Sequence, residues 1–253
     1  MRNHLNQVKS NFADNVAIVE KLMNFDEAIA YFCLSVLKKT DEGLESIEYD
    51  KHPSFSVKPM IKQIENIRKN DSLQPNYEIM FNQCVVLLVS YFGSAIEDLF
   101  RVALQNKIDN KELGKLDDEE IKLTVGQLVY DKNNIVDLFI SKKDISFQDM
   151  QSIARAFKQY IGTDEISRDK VVNNIILSQA CRHCIVHDGS TVNKKVIDQL
   201  KSANPRELKT DIKINEAIRF NEEEIKIIIP SMMQYVDRLI TGLTNPQTKM
   251  VIK

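Results

Sequence analysis

Cys84-Val85-Val86-Leu87-Leu88-Val89-Ser90-Tyr91-Phe92-Gly93-Ser94-Ala95-Ile96-Glu97-Asp98-Leu99-Phe100 is the stretch whose reading decides the fold. Its first six residues are apolar on every side. From Leu88 onward the apolar positions thin to Leu88, Phe92, Ala95, Ile96, Leu99 and Ala103, which recur at the three- and four-residue intervals of one helix face. The pattern predicts a helix over Ile79 to Leu104 whose first half is wrapped by other elements. Glu97 and Arg101 stand four apart and can pair on its surface. Gly93 and Ser94 are small enough to let another helix approach closely.

Working outward, the N-terminal flank breaks over Asn70 to Asn76, at Pro75, after a short helix over Met60 to Lys69. Asp41 to Pro59 is a poorly patterned connection with Pro53 and Pro59. Before it, Asn3 to Lys39 reads as helix, with Val8, Phe12, Val16, Val19, Leu22, Met23, Phe25, Ala28, Phe32 and Val36 at helical spacing.

On the C-terminal side, Gln105 to Glu120 is a polar crossover. Helices are predicted over Leu123 to Phe139, Ser146 to Tyr160 (Ser146 capping, Asp149 in the first turn), Ser167 to His187 and Val192 to Leu200, the last stopped near Asn204-Pro205. Asp211 to Phe220 alternates like a short extended arm or hairpin. Asn221 caps a final helix that opens with Glu222, Glu223 and Glu224, and Pro230 should kink or restart it. With seven glycines, six prolines and little strand-like alternation in 253 residues, the fold class is all-α, a helical bundle with additional N-terminal helices.

Composition limits the function classes. Apolar content of 43% and charged content of 28% are ordinary for a globular chain. A net charge of −2 supplies no global field toward nucleic acid, so any RNA site must be a local basic patch. Met1 to Asn11 is mostly polar and shows no signal pattern, and the Cys84 to Val89 run is too short for a bilayer, so a cytoplasmic protein without a membrane partner is expected. Cys33, Cys84, Cys181 and Cys184 lie in helical patterns and read as buried, reduced thiols.

The chemistry concentrates in Arg182-His183-Cys184-Ile185-Val186-His187, followed by Asp188-Gly189, which holds two of the four histidines. Arginine grips phosphate with a planar fork. Imidazole exchanges protons near neutral pH. Five positions on a straight helix separate Arg182 from His187 by roughly 140°. They reach a common site only if the helix ends in a left-handed turn at Gly189, or if a second copy completes the site. Glu97 or Asp98 is a candidate to orient Arg182.

Three other readings compete. Arg182 can be a plain surface cation and His187 a helix-end histidine favoured by the dipole. Cys181, His183, Cys184 and His187 have ligand-like spacing, but they drift around a helix rather than converge on a tetrahedral centre, so no metal or other cofactor is expected. A Cys184 nucleophile beside His187 lacks an orienting third group. No Walker loop, Rossmann glycine pattern or paired-carboxylate motif is present.

The motif resembles the R-x4-6-H signature of the HEPN superfamily, with His183 at the position after the arginine where Asn, Asp or His is common. The Ser90 to Phe100 and Ile145 to Phe157 stretches and a final helix extend the resemblance over about Asn76 to Leu243, most like its RiboL-PSP or MAE-type branch. It implies a HEPN-like bundle over residues 76–245, preceded by an N-terminal helical extension (1–75) and followed by a tail (246–253). It implies a metal-independent endoribonuclease of toxin or anti-phage defence type, acting on RNA as a homodimer with facing motifs, with an antitoxin or regulatory protein as a possible partner. Arg182 and His187 would be catalytic, His183 and Asp188 auxiliary or substrate-binding. The alternative implied is a non-catalytic nucleotide- or partner-binding module.

Overall fold

Residues 1–46, 56–69, 74–124, 126, 135–163, 169–201 and 203–245 are described by the structure, a computed structural model. Among them every regular element is helical: α1 (Arg2–Met23), α2 (Phe25–Ser46), α3 (Lys58–Lys69), α4 (Gln74–Asp109), α5 (Ile135–Lys142), α6 (Met150–Ala156), α7 (Lys170–His187), α8 (Lys194–Leu200) and α9 (Glu222–Thr244), with a 3₁₀ turn at Gly114–Asp118 and a π-helical turn at Phe157–Ile161. The all-α expectation holds.

The predicted central helix is α4, and it is longer than the periodicity indicated: it runs from Gln74, so Pro75 lies in its first turn rather than in a break, and Gln105 to Asp109 continue it. Cys84, Val85, Leu88, Phe92, Ile96, Leu99 and Phe100 are fully buried. The covering elements are α1, α7 and α9, each packed along α4. By length and composition alone Ile79–Asp109 is apolar enough to cross a membrane. The apolar residues resume after Ser90, so the short run over 84–89 understates the helix; half of the most apolar stretch is buried within the protein. Glu97 does pair with Arg101, at 2.6 Å, and Arg101 also reaches Asp137 at 2.9 Å. At Gly93 the close neighbour is the Phe147 carbonyl, 3.3 Å from where a Cβ would stand. Phe147 is not helical, so a loop makes the approach where a helix was expected.

Several local expectations are corrected. The first segment is two helices, with a break at Asn24 (φ −99°, ψ 7°). α2 continues to Ser46, into the stretch read as connection, and Pro53 lies outside the described residues. Of the helix predicted over Leu123 to Phe139, Leu123 and Thr124 are not helical, residues 125 and 127–134 lie outside the described residues, and a helix is described from Ile135, continuing to Lys142. α6 begins at Met150, not Ser146. Asp149 accepts from the Ser152 amide at 2.8 Å and is the cap, while Ser146 Oγ receives the Gln148 amide in the preceding turn. A turn of π-helix, Phe157–Ile161, follows α6 and ends at left-handed Gly162 (φ 83°). The expected start of the motif helix near Ser167 lies outside the described residues; α7 is described from Lys170, capped by Asp169.

α9 has the expected Asn221–Glu224 capping box and runs unbroken through Pro230. A proline ring removes one backbone donor and crowds one preceding carbonyl. Here packing of Ile228, Met232, Tyr235 and Val236 in the core holds the helix across that defect. Asp211 to Phe220 forms neither hairpin nor strand. One antiparallel bridge, Thr191 to Ala217, touches it, and Asn82 of α4 fastens it by donating to the Ile218 carbonyl (2.8 Å) and accepting from the Phe220 amide (3.0 Å).

The cysteines sort by depth. Cys84, Cys181 and Cys184 are buried, whereas Cys33 is only partly covered, and all four are free thiols. Burial pushes the Cys84 thiol up to about 11 and Cys181 up to about 12, and also raises Cys184. The thiolate is the reactive form. Brief alkylation of native protein at pH 7.5 should therefore modify Cys33 alone, the other three reacting only in denaturant. Peptide mass mapping that found Cys181 modified in native protein would contradict this placement.

Candidate functional site

α7 carries the motif, and its ends are tied down. At its N-terminus Asp169 accepts from the Val172 amide (3.0 Å) and pairs with Arg238 of α9 at 2.5 Å. Midway, Asn174 donates to Ser231 of α9 and accepts from the Glu207 amide. These buried and part-buried polar contacts fix the rotation of α7, most of all the buried Asn174–Ser231 bond, since a donor left unmet inside would cost about 1–3 kcal/mol. Asn173, Asn174, Ile175, Leu177, Ser178, Cys181 and Cys184 consequently face inward. Arg182 and His183 are partly exposed, and His187 is exposed.

A cleft of about 210 Å³ opens where α6, α7 and α8 meet. Arg182 and His183 line it, together with Gln179, with Gln148 of the loop before α6, with Gln151 of the first turn of α6, and with Lys195 of α8. Gln179, Arg182 and His183 share one helix face at i, i+3 and i+4. Gln179 Oε1 accepts the Met150 amide at 3.0 Å, which ties the first turn of α6 to α7 and closes one wall. Its Nε2 is buried without a hydrogen-bond partner among the described residues.

Two cations in the cleft are uncompensated. Among the described residues neither Arg182 nor Lys195 enters an ion pair, and Arg182 Nε is buried without an acceptor. Asp149, the one carboxylate in the lining, already serves as the α6 cap. Glu97 is committed to Arg101, so it does not orient Arg182. Asp98, whose carboxyl burial holds above the usual carboxylate range, has no bond to Arg182 either.

α7 remains regular through His187 and ends in left-handed Gly189 (φ 58°), as expected. That turn comes too late to swing His187 toward Arg182. His187 does not line the cleft, so of the two routes to a common site the turn at Gly189 does not bring His187 to Arg182 within one chain. The structure instead brings His187 to His183, one turn away, with ring centroids 5.0 Å apart and planes inclined by 49°. Asp188 faces away: its Oδ2 accepts from Asn193 Nδ2 at 2.7 Å, and Asn193 caps α8 through the Val196 amide. That tie sets where α8, and hence Lys195, stands.

Sequence reasoning missed Gln148, Gln151, Gln179 and Lys195. For Gln179 a signal existed, since it precedes Arg182 by three residues and lies on the same face. The others come from α6, its entry loop and α8, and nothing in their spacing announces the meeting.

A second, larger cavity of about 390 Å³ lies between α1, α4 and α5, lined by His4, Arg101, Gln105, Asn106, Asp109 and Asp137. Its arginine is already neutralised by Glu97 and Asp137. The smaller cleft therefore holds the free positive charge. No family model, no curated protein and no solved structure matches the chain.

Proposed function

We propose that the chain is a metal-independent endoribonuclease that cleaves RNA by attack of a ribose 2′-OH on the adjacent phosphate. The supporting observation is the joint placement of Arg182, Lys195 and His183 in one cleft, with the His187 ring beside His183. The free guanidinium and ammonium suit the non-bridging phosphate oxygens and the charge that develops there in the transition state. One neutral imidazole removes the 2′-OH proton, and the other, protonated, delivers a proton to the departing 5′ oxygen. The P–O5′ bond breaks as the 2′-O–P bond forms, leaving a 2′,3′-cyclic phosphate and a 5′-hydroxyl. The resemblance of Arg182 to His187 to the HEPN signature supports the same reading and, with it, a role as a toxin or defence effector.

The lining of the cleft supports a different division of labour from the one the resemblance implies. His183 joins Arg182 in the cleft, so it is assigned a direct role, and His187 is assigned the second proton transfer. The position of His187 outside the cleft is the observation that favours the second reading, a module that binds a phosphate or nucleotide without cleaving it.

One assay separates them. In EDTA, an RNA oligonucleotide should be cut and an identical strand carrying a single 2′-deoxy sugar at the cut site should not. Equal cutting of both strands would overturn the transesterification mechanism. Tight binding of RNA without cutting would leave the binding module as the function.

A further inference from the structure

Large apolar residues on the outer face of α1 and α2 form a seam that none of the described residues covers. Ile18, Leu22, Phe25, Ile29, Phe32 and Val36 succeed one another at intervals of four, three, four, three and four residues. All six are 37% to 65% exposed. The break at Asn24 does not interrupt the register: its amide still donates to the Glu20 carbonyl (3.3 Å), and its carbonyl still receives the Ala28 amide (3.0 Å). Exposed Tyr31 flanks the seam on α2, and exposed Met60 stands on α3, the helix packed against α2.

An alternation of three and four is the spacing of the a and d positions of a heptad, the pattern whose knobs fit the holes of another helix. A helix that only packs against its own domain buries such a stripe. The inner face of α1 does so, with Leu5, Phe12, Val16, Val19 and Met23 in the core. The outer seam is a second apolar face on the same polypeptide, and one helix has no use for two unless a second body covers the other.

We propose that this seam is a homodimer interface, in which α1 and α2 of one copy pack against α1 and α2 of a second copy about a two-fold axis. Two quantities favour a second copy. Taking roughly 150–250 Å² for a large buried side chain, the exposed parts of the six residues come to on the order of 500–800 Å² per copy. A pair would bury about 900–1,600 Å², which spans the roughly 1,000 Å² expected of a specific interface. The heptad spacing is also self-complementary, since identical a and d rows present the same knobs and holes to each other, as an isologous contact requires. The motif end of α7 offers far less for the motif-facing pairing that the HEPN resemblance implies. There Val186 is the one large apolar side chain strongly exposed among the described residues. None of the seam residues lines the Arg182 cleft, so the inference stands or falls independently of the ribonuclease reading.

The test is sedimentation velocity and light scattering of the full chain from about 1 to 100 μM, with circular dichroism to confirm helix content. Wild type should sediment as a dimer, at twice the 29.1 kDa chain mass. Phe25→Glu/Phe32→Glu should weaken pairing by roughly 100-fold or more, the scale for losing two central aromatic anchors, with helix content unchanged because both side chains are exposed. Phe25→Ser/Phe32→Ser should do the same without added charge. Val186→Glu should remain dimeric. The proposal is overturned if wild type is monomeric throughout, whether or not it co-sediments with phosphatidylcholine–phosphatidylglycerol vesicles. A dimer that survives both double substitutions, or one that Val186→Glu dissociates, overturns it equally.

Discussion

Replacing Arg182 with alanine is expected to slow RNA cleavage by roughly 100- to 1000-fold, the usual loss when one preorganised partner of a developing anionic charge is removed. His183→Ala should cost about 100- to 10,000-fold, the range for a general acid or base. Arg182 and His183 are partly exposed and make no hydrogen bond or ion pair within the described residues. Surface changes of this kind usually shift stability by no more than about 0.5 kcal/mol. Catalysis should thus collapse while the melting curve barely moves. Arg182→Lys keeps the charge and loses the planar fork, so it should recover only part of the rate. Single-turnover cleavage of a defined RNA at saturating enzyme reads the chemical step directly. Wild-type rates in His183→Ala would remove this histidine from the reaction, and wild-type rates in Arg182→Ala would move the phosphate site elsewhere.

The same measurements assign the two histidines. The HEPN resemblance gives the leading role to His187, whereas the cleft contains His183, with His187 one helical turn beyond it. If both transfer protons, His187→Ala should fall in the same range as His183→Ala, and the double substitution should cost little more than either alone, because residues acting as a unit are strongly non-additive.

The helices could be read from the sequence where a long apolar period had a clear inner face. α4 and α9 were legible for that reason, as was the Asn221 cap with its following glutamates. Reading failed where local chemistry allowed two answers. Ser146 and Asp149 are both good caps, and the choice fell to Asp149 because the adjacent Met150 amide is held by Gln179 from across the cleft. Pro230 has a breaker's sequence signature, but the core contacts on either side of it outweigh the local defect. At the site, Arg182 and His183 were visible as residue types, and the roughly 140° that separates Arg182 from His187 on a helix correctly warned against a simple pairing. The rest of the cleft was invisible because it is assembled from three helices far apart in sequence.

The loop that supplies Gln148 and leads into α6 rests on an aromatic cluster, and Phe100 is its centre. Its ring lies 5.3 Å from Phe147, 5.3 Å from Phe157 and 6.4 Å from Tyr160, and Tyr160 in turn meets Phe139 edge-on at 4.9 Å. Phe100 is fully buried. Phe100→Ala removes the group that the α6 entry loop and the π-helical turn share, and leaves a cavity that rings fixed to two separate segments cannot both close. The expected loss is about 3–5 kcal/mol, the range for burying and then deleting a core phenylalanine. At roughly 2–4 °C per kcal/mol for a chain of this size, that lowers the melting midpoint by about 6–20 °C. Phe100→Leu refills most of the volume and should lose markedly less. Urea unfolding with an unchanged m-value would show that stability fell without a change in the extent of the unfolding transition. Because Phe147 immediately precedes Gln148, the cleft wall should loosen as well, and ligand or RNA affinity should weaken at temperatures where the variant is still fully folded. A loss below about 1.5 kcal/mol would mean that the cluster repacks around the vacancy, and that the α6 wall of the cleft is held by the Gln179–Met150 bond rather than by the aromatic core beneath it.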